Sequence, residues 1–492
     1  MTVAATRVEG AWAGLFGVVG LAGFVTTLDN TVVTVAVPTM GRELGARLAA
    51  MEWVGTGYVI TFAGLMLAGG RLADLWGRRR VLVAGMAVFS VASVVAGLAG
   101  TVEVLVAARV VQGVGAAMVL PATLAVLAGA GERRRSAGIA VWMASGAAAL
   151  ALGPVVGGYL SEHAHWGWVF LINVPLGAAV IGLALVALPP DPQPSFGFGY
   201  RSRTDAGVGC GSRSGSRSGY RSRTDGGLGS GFRVWGRVWV GMDGPGVVCS
   251  GVFLGAGTFV LIHGAEYGWA RPDIVAGVVV SLVAGVAFVV VERRAAWPMV
   301  DLGLFRVRSF SGGVVAQVLW GLGVNGVFFY TAIFLQDVLG FTPSASGLAF
   351  VPLALLVVAV APLVPWVERW AGAGRTVAAG LVLVAGGMVV AAFLRPGDGW
   401  GDLLPAVCAI GVGSALTMPL GSAVLGAVPE ERAGVAGGVF SVSREISGLF
   451  GIAGVGGVVH AVGTFAAGYT VGLLAAAALV LGGALVSLLS LP

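Results

Sequence analysis

Long apolar runs alternate with short polar breaks along almost the whole chain. A helix needs about 20 mostly apolar residues to cross a bilayer, and fourteen runs are long enough: 12–33, 52–70, 81–99, 104–128, 137–160, 168–188, 246–263, 274–291, 311–335, 345–365, 376–394, 403–427, 435–459 and 464–488. They are continuous rather than alternating residue by residue, which predicts helices and not the strands of a membrane barrel. The fold class expected is therefore an all-α polytopic membrane protein. The run near the N-terminus has no small-residue cleavage site followed by a polar mature domain, so it reads as a retained first span.

One long polar stretch breaks the pattern, at 189–243. It opens Pro189-Pro190-Asp191-Pro192, is rich in Gly, Ser and Arg, and repeats Gly199–Asp205 as Gly219–Asp225. Such a composition cannot bury a core and predicts a disordered linker on the cytoplasmic side. Its end, Phe232 to Trp239, carries Arg233 and Arg237 between aromatic residues, a pattern suited to lying on the inner leaflet. Six runs precede the linker and eight follow. The division expected is 1–188 as a six-helix half, 189–243 as linker, 244–304 as two extra helices and 305–492 as a second six-helix half. Two six-helix halves are a transporter architecture, with the substrate site between them near the midplane.

Composition narrows the class. Charged residues are 11% and hydrophobic residues 57% of the 492, where a soluble domain carries about 25% charged residues. That excludes a soluble enzyme, a nucleic-acid-binding domain and a disordered scaffold as the main reading. The net charge is +6 and all 29 basic residues are Arg. One set of loops holds Arg78, Arg79 and Arg80, then Arg133–Arg135, then Arg293, Arg294, Arg306 and Arg308, then Arg369 and Arg375, then Arg432; the alternate loops hold Arg42, Arg47, Arg271 and Arg395. The positive-inside rule makes the first set cytoplasmic, with both termini, in a multi-pass protein of the plasma membrane. Trp166, Trp168, Trp269 and Trp400 fall near the outer ends, as an aromatic belt would. Cys210, Cys249 and Cys408 are three and far apart, so neither a disulfide framework nor a metal site follows.

Polar residues inside the runs carry the candidate chemistry. Asp29 lies in the first run, read as towards its outer end; a carboxylate there should face a water-filled cavity or a partner. It can be a proton carrier or a satisfied structural group. Arg109, Gln112 and Gly113 share one face of the fourth run; an Arg this close to a span end can also snorkel to headgroups. Between the second and third runs, Gly70-Arg-Leu-Ala-Asp74-Leu-Trp-Gly77-Arg78 places Asp74 and Arg78 four apart, able to pair at a helix end or with a neighbouring helix. Gly153, Pro154, Gly157 and Gly158 bring close packing and a kink to the fifth run. Gln112, Gln317, Asn325 and Gln336 are candidates for a substrate cavity or for interhelical hydrogen bonds. Phe328 and Phe329 can line an apolar pocket or pack in the core. His263 and His460 read as interface residues, and Glu52 and Glu445 as lesser proton-binding candidates. No G-x-x-x-x-G-K-[ST] phosphate loop occurs. No cofactor is implied, and a proton gradient is the simpler driver: one charge moved through about 100 mV is worth roughly 2.3 kcal/mol.

The loop Gly70–Arg80 resembles the signature loop of the major facilitator superfamily. Leu28-Asp29-Asn30-Thr31-Val32-Val33-Thr34-Val35-Ala36-Val37-Pro38 is similar to the first-span motif of its fourteen-span drug:proton antiporter branch. Arg109 to Gly115, Gly146 to Gly158, and Trp168 to Gly177 are similar to that branch's fourth-, fifth- and sixth-span motifs. Leu75 replaces the usual Arg of the loop, Thr34 the usual Asn of the first span, and Ser443-Arg444-Glu445 stands where Arg-Gln is common. The resemblance implies the major facilitator fold, with two six-helix bundles plus two extra central helices, and proton-coupled export of amphipathic, cationic or antibiotic molecules by alternating access. It implies a role for Arg109 in proton coupling and for Gly70, Asp74, Gly77 and Arg78 in gating. A carrier of another solute (lipid, sugar or amino acid) and a non-transporting sensor or scaffold share the fold. The partners expected are small molecules, protons and the lipid bilayer, and no nucleic acid.

Overall fold

The computed structural model describes residues 2–128, 132–191, 244–295, 300–429 and 432–492. Of the linker expected at 189–243, residues 192–243, with the repeat, lie outside them. Among the described residues, fourteen helices are long and apolar enough to cross a membrane: α1 (Ala13–Leu44), α2 (Leu48–Trp76), α3 (Arg78–Gly97), α4 (Val102–Leu127), α5 (Ala137–His163), α6 (Trp168–Ala187), α7 (Gly244–Gly264), α8 (Pro272–Arg294), α9 (Arg308–Asp337), α10 (Pro343–Ala371), α11 (Ala373–Ala392), α12 (Trp400–Gly426), α13 (Val435–Ala461) and α14 (Phe465–Ser490). Each answers one predicted run. Among the described residues there is no strand.

The packing within α1–α6 recurs within α9–α14. Helix α1 packs on α5 and α6, and α9 on α13 and α14; α4 packs on α2 and α3, and α12 on α10 and α11; α3 meets α6 as α11 meets α14. Between the groups, α2 lies on α13 and α5 on α10, two contacts that the same correspondence exchanges. Helix α7 covers the α2–α13 seam, and α8 packs on α7, with Ser281 Oγ donating to the Phe253 carbonyl at 3.1 Å.

The polar contacts between the groups gather at the end where α1 finishes, the Arg42 end. Arg42 pairs with Asp337 at 3.0 Å, Gln336 Nε2 donates to the Val35 carbonyl at 2.8 Å, and Ser344 N donates to Glu162 Oε2 at 2.8 Å. Helix α5 meets α10 through the part of α10 that begins at Pro343, while Val364–Ala371 packs on α11 and α12.

Two belt and boundary expectations change. Trp168, Trp269 and Trp400 are exposed, but Trp166 is 1% exposed and sits edge-on to Phe170 in the core. Asp191, assigned to the linker, instead caps a helix. Its carboxylate accepts from the backbone N–H of Arg79 at 3.2 Å and of Arg80 at 2.8 Å, in the first turn of α3. A carboxylate there satisfies donors that the helix itself leaves open and complements its dipole.

Candidate functional site: a buried ion pair among α1, α2, α4 and α6

The fourth-span sequence brings α4 unusually close to α2. A methyl group at Gly113 would stand 3.1 Å from the Tyr58 carbonyl carbon, and Thr61 Oγ1 donates to the Val110 carbonyl at 2.8 Å. Only a residue without a side chain permits that separation. One turn earlier the same approach delivers Arg109 to α2, where its Nε donates to the Val54 carbonyl at 3.0 Å and its guanidinium stacks 4.4 Å over the Tyr58 ring. Arg109 is therefore turned inward with no exposed surface, and does not snorkel to headgroups.

Its counterion is Asp29. Arg109 Nη1 lies 2.5 Å from Asp29 Oδ2, both side chains fully shielded. Asp29 Oδ1 accepts from Gln112 Nε2 at 2.7 Å and from Asn173 Nδ2 at 2.7 Å. Gln112 Oε1 accepts from Arg109 Nη1 at 2.8 Å, while its Nε2 also donates to Ser93 Oγ at 2.9 Å. Three helices, α1, α4 and α6, thus meet at one carboxylate, with α2 joined through Arg109 and α3 through Ser93. Asp29 is near the middle of α1, about 24 Å from Ala13 and about 22 Å from Leu44 at 1.5 Å per residue, and not towards its outer end. It faces a cation and two amides rather than a water-filled cavity.

A carboxylate and a guanidinium so paired form a neutral unit, which offsets much of the cost of burying either charge. Three donors occupy both carboxylate oxygens, while Arg109 Nη2 and Asn173 Oδ1 have no hydrogen-bond partner. Two of these donors, Arg109 and Gln112, are carried by α4 and the third, Asn173, by α6, so the carboxylate ties both helices to α1.

The remaining predicted residues divide. Gln112 belongs to this network and does not line an open cavity. Gln317 is buried and its Nε2 is unpartnered, whereas Asn325 donates to the Gly321 carbonyl of its own helix at 3.0 Å. Gln336 bonds across the seam, as above. Asp74 is exposed and forms no ion pair with Arg78. The two glycines of that loop are placed: Gly70 faces Pro121, and Gly77 has φ +101° with its Cα against the Asp191 carboxylate. The fifth-span glycines form two seams. Gly153 and Gly157 lie against Thr31 and Val32 of α1, while a methyl at Gly158 would stand 2.9 Å from the Pro343 carbonyl carbon of α10. Pro154 faces Gly347 of α10 in the same way, at 2.8 Å from its carbonyl carbon to a built methyl. Glu445 pairs with its neighbour Arg444 at 2.9 Å.

Sequence reasoning did not single out Asn173, Ser93, Tyr58 or Asp191. Asn173 carried a signal of its own, as an amide in an otherwise apolar span. Ser93, Tyr58 and the Val54 carbonyl did not, since they acquire their role only through contact. Among the described residues, no group of His, Cys, Asp or Glu has the arrangement of a metal site.

Comparisons with known proteins agree with this architecture. The cephamycin export protein CmcT of Amycolatopsis lactamdurans is 34% identical over 88% of this chain and 82% of its own. The puromycin resistance protein pur8 of Streptomyces alboniger is 31% identical over 90% of this chain and 80% of its own. A transporter of the POT family, solved with 5-aminolevulinic acid, superposes with a TM-score of 0.66 over 96% of this chain and 95% of its own, at 13% identity. The nucleoside transporter NupG gives 0.62 over 97% and 99%, at 12% identity. The sequence profile of the Major Facilitator Superfamily matches residues 19–452. The chain is a member of the Major Facilitator Superfamily, a multi-pass membrane transporter and not an enzyme.

Proposed function

We propose that this protein is a proton-coupled exporter of amphipathic drugs or antibiotics, working by alternating access between the halves 1–188 and 305–492. The observation that carries the reading is the Asp29–Arg109 pair. It is a buried charge pair that ties α1 to α4, and a proton taken by Asp29 would leave Arg109 without its counterion. The similarity to proteins named for cephamycin export and puromycin resistance supports antibiotics as the substrate class. The arginine-rich loops favour a cytoplasmic face at the Arg78 end and cytoplasmic termini in a bacterial plasma membrane. In that orientation the Arg42 end is outer, and the arrangement described is closed outward. Helices α7 and α8, in 244–304, act as an insert beside the α2–α13 seam. Gly153, Pro154, Gly157 and Gly158 serve as a hinge and seal, and Gly70, Asp74, Gly77 and Arg78 as the loop that changes partners when the inner end closes. Gln317, with its free amide, is the polar residue best suited to meet substrate.

The cycle follows from the charges. With Asp29 ionised and paired with Arg109, substrate enters from the cytoplasm. After the switch, an outer proton neutralises Asp29, Arg109 loses its counterion and moves, and substrate leaves. Inverted membrane vesicles carrying a proton gradient test this. Addition of β-lactams, puromycin or lipophilic cations should dissipate the gradient, and Asp29→Asn should abolish the response. Dissipation that survives Asp29→Asn would move the proton elsewhere; no response to any compound with verified insertion would overturn drug export.

A further inference from the structure

We infer that Glu52 and His460 form a second proton-binding site, one that bridges the two halves at the Arg42 end and takes up a proton as that end closes. The inference rests on the alternating-access reading.

Glu52 lies in the second turn of α2 with no exposed surface. Its Oε1 accepts from the Tyr330 hydroxyl of α9 and lies 3.1 Å from His460 Nε2 at the end of α13. Both partners belong to the opposite half. Oε2 is buried without any partner. The packing makes room for this arrangement: a methyl group at Gly456 of α13 would stand 2.7 Å from Glu52 Oε1. His460 is 18% exposed on its side chain, so it connects the carboxylate to water at the helix end.

Glu266, just beyond α7, pairs with Arg47 at 2.9 Å, and Arg42 of α1 with Asp337 of α9. On α4, Arg109 reaches the nearby Val54 carbonyl, but its charge is matched by Asp29. His263 of α7 stacks between Phe259 and Tyr267. The unmatched group is therefore Glu52, and the group able to match it is His460.

The sign follows from burial. An ionised Glu52 beside a neutral imidazole leaves a net negative charge away from water, which is costly. One shared proton makes the pair neutral, either as carboxylate with imidazolium or as carboxylic acid with imidazole. When the halves part at this end, both groups reach water, and burial no longer forces them to share a proton. The open pair then gives up more readily the proton that the closed pair keeps, and by linkage a lower outer pH favours closing. Outer protons would thus drive the return from the outward-open to the inward-open form.

Distances between two spin labels test this without relying on transport. The full chain, with Cys210, Cys249 and Cys408 replaced by Ser, would carry Thr101→Cys and Arg395→Cys. These sites are exposed in the α3–α4 and α11–α12 loops of opposite halves. In nanodiscs, the ratio of long to short distances should rise with pH, by up to about tenfold per pH unit for one proton. Glu52→Gln and His460→Gln should each flatten the response to below about twofold per unit. Gly456→Ala, which keeps both titrating groups, should favour the long distance at every pH while preserving the slope. It also serves as the informative variant if the others fail to insert. A ratio indifferent to pH, or a slope unchanged by both substitutions, overturns the inference. A slope that depends on Glu52 and His460 in a chain that exports nothing would refute the proposed export and leave this site standing.

Discussion

Arg109 and Asp29 meet at 2.5 Å with neither side chain reaching the surface, although 80 positions separate them in the chain. This pair ties α1 to α4 and, through Gln112 and Asn173, to α3 and α6. It is the point at which the N-terminal helices share one electrostatic fate.

Breaking that pair from one side leaves a buried unmatched charge, which typically costs about 3–5 kcal/mol. Asp29→Ala and Arg109→Ala are each expected to lower the melting temperature in detergent clearly. The double substitution Asp29→Ala with Arg109→Ala should be more stable than either single change, since no charge is then left unmatched. A double variant that melts at the sum of the two losses would show that the charges do not act as a unit.

The Arg42–Asp337 pair should behave differently. Its side chains are 55% and 47% exposed, and ion pairs in water contribute about 0–1 kcal/mol. Arg42→Ala is expected to shift the melting temperature little, and any shift should fade with added salt. A loss as large as that of Arg109→Ala would contradict the solvent exposure.

The α5–α10 seam allows no added volume at Gly158 or Gly347. Overpacking of this kind costs about 1–3 kcal/mol, and here the cost falls on the arrangement in which the Arg42 ends touch. Gly347→Val should therefore move the population towards separated Arg42 ends by roughly tenfold or more. Spin-label distances between the α3–α4 and α11–α12 loops read that shift; an unchanged distribution would mean that the seam yields elsewhere.

The cap at the start of α3 offers a local test. Asp191→Ala removes the acceptor for two backbone N–H groups, a loss of about 0.5–2 kcal/mol for a helix cap. Faster amide exchange at Arg79 and Arg80 is expected, with exchange at Asp29 and its partners unaffected. Gly77→Ala should do at least as much damage, because φ of +101° disfavours a side chain and the added methyl would meet the Asp191 carboxylate.

Much of this protein is determined by sequence alone, for a physical reason. Lipid demands long uninterrupted apolar runs, so the fourteen spans can be read without coordinates. The same constraint singles out Asp29 and Arg109, because a charge within such a run is expensive. Which charges meet was decided only by the tertiary structure. Whether Arg109 snorkels or turns inward depends on how near Gly113 lets α4 come to α2. Whether Glu52 is a lesser carboxylate or a bridge depends on Tyr330 and His460, which lie 278 and 408 positions away. Asp191 looked like the start of a linker because its partners are backbone amides, which every sequence has and none displays. Periodicity and composition report what a segment must avoid. Partnership between segments arises only when packing brings them within hydrogen-bonding distance.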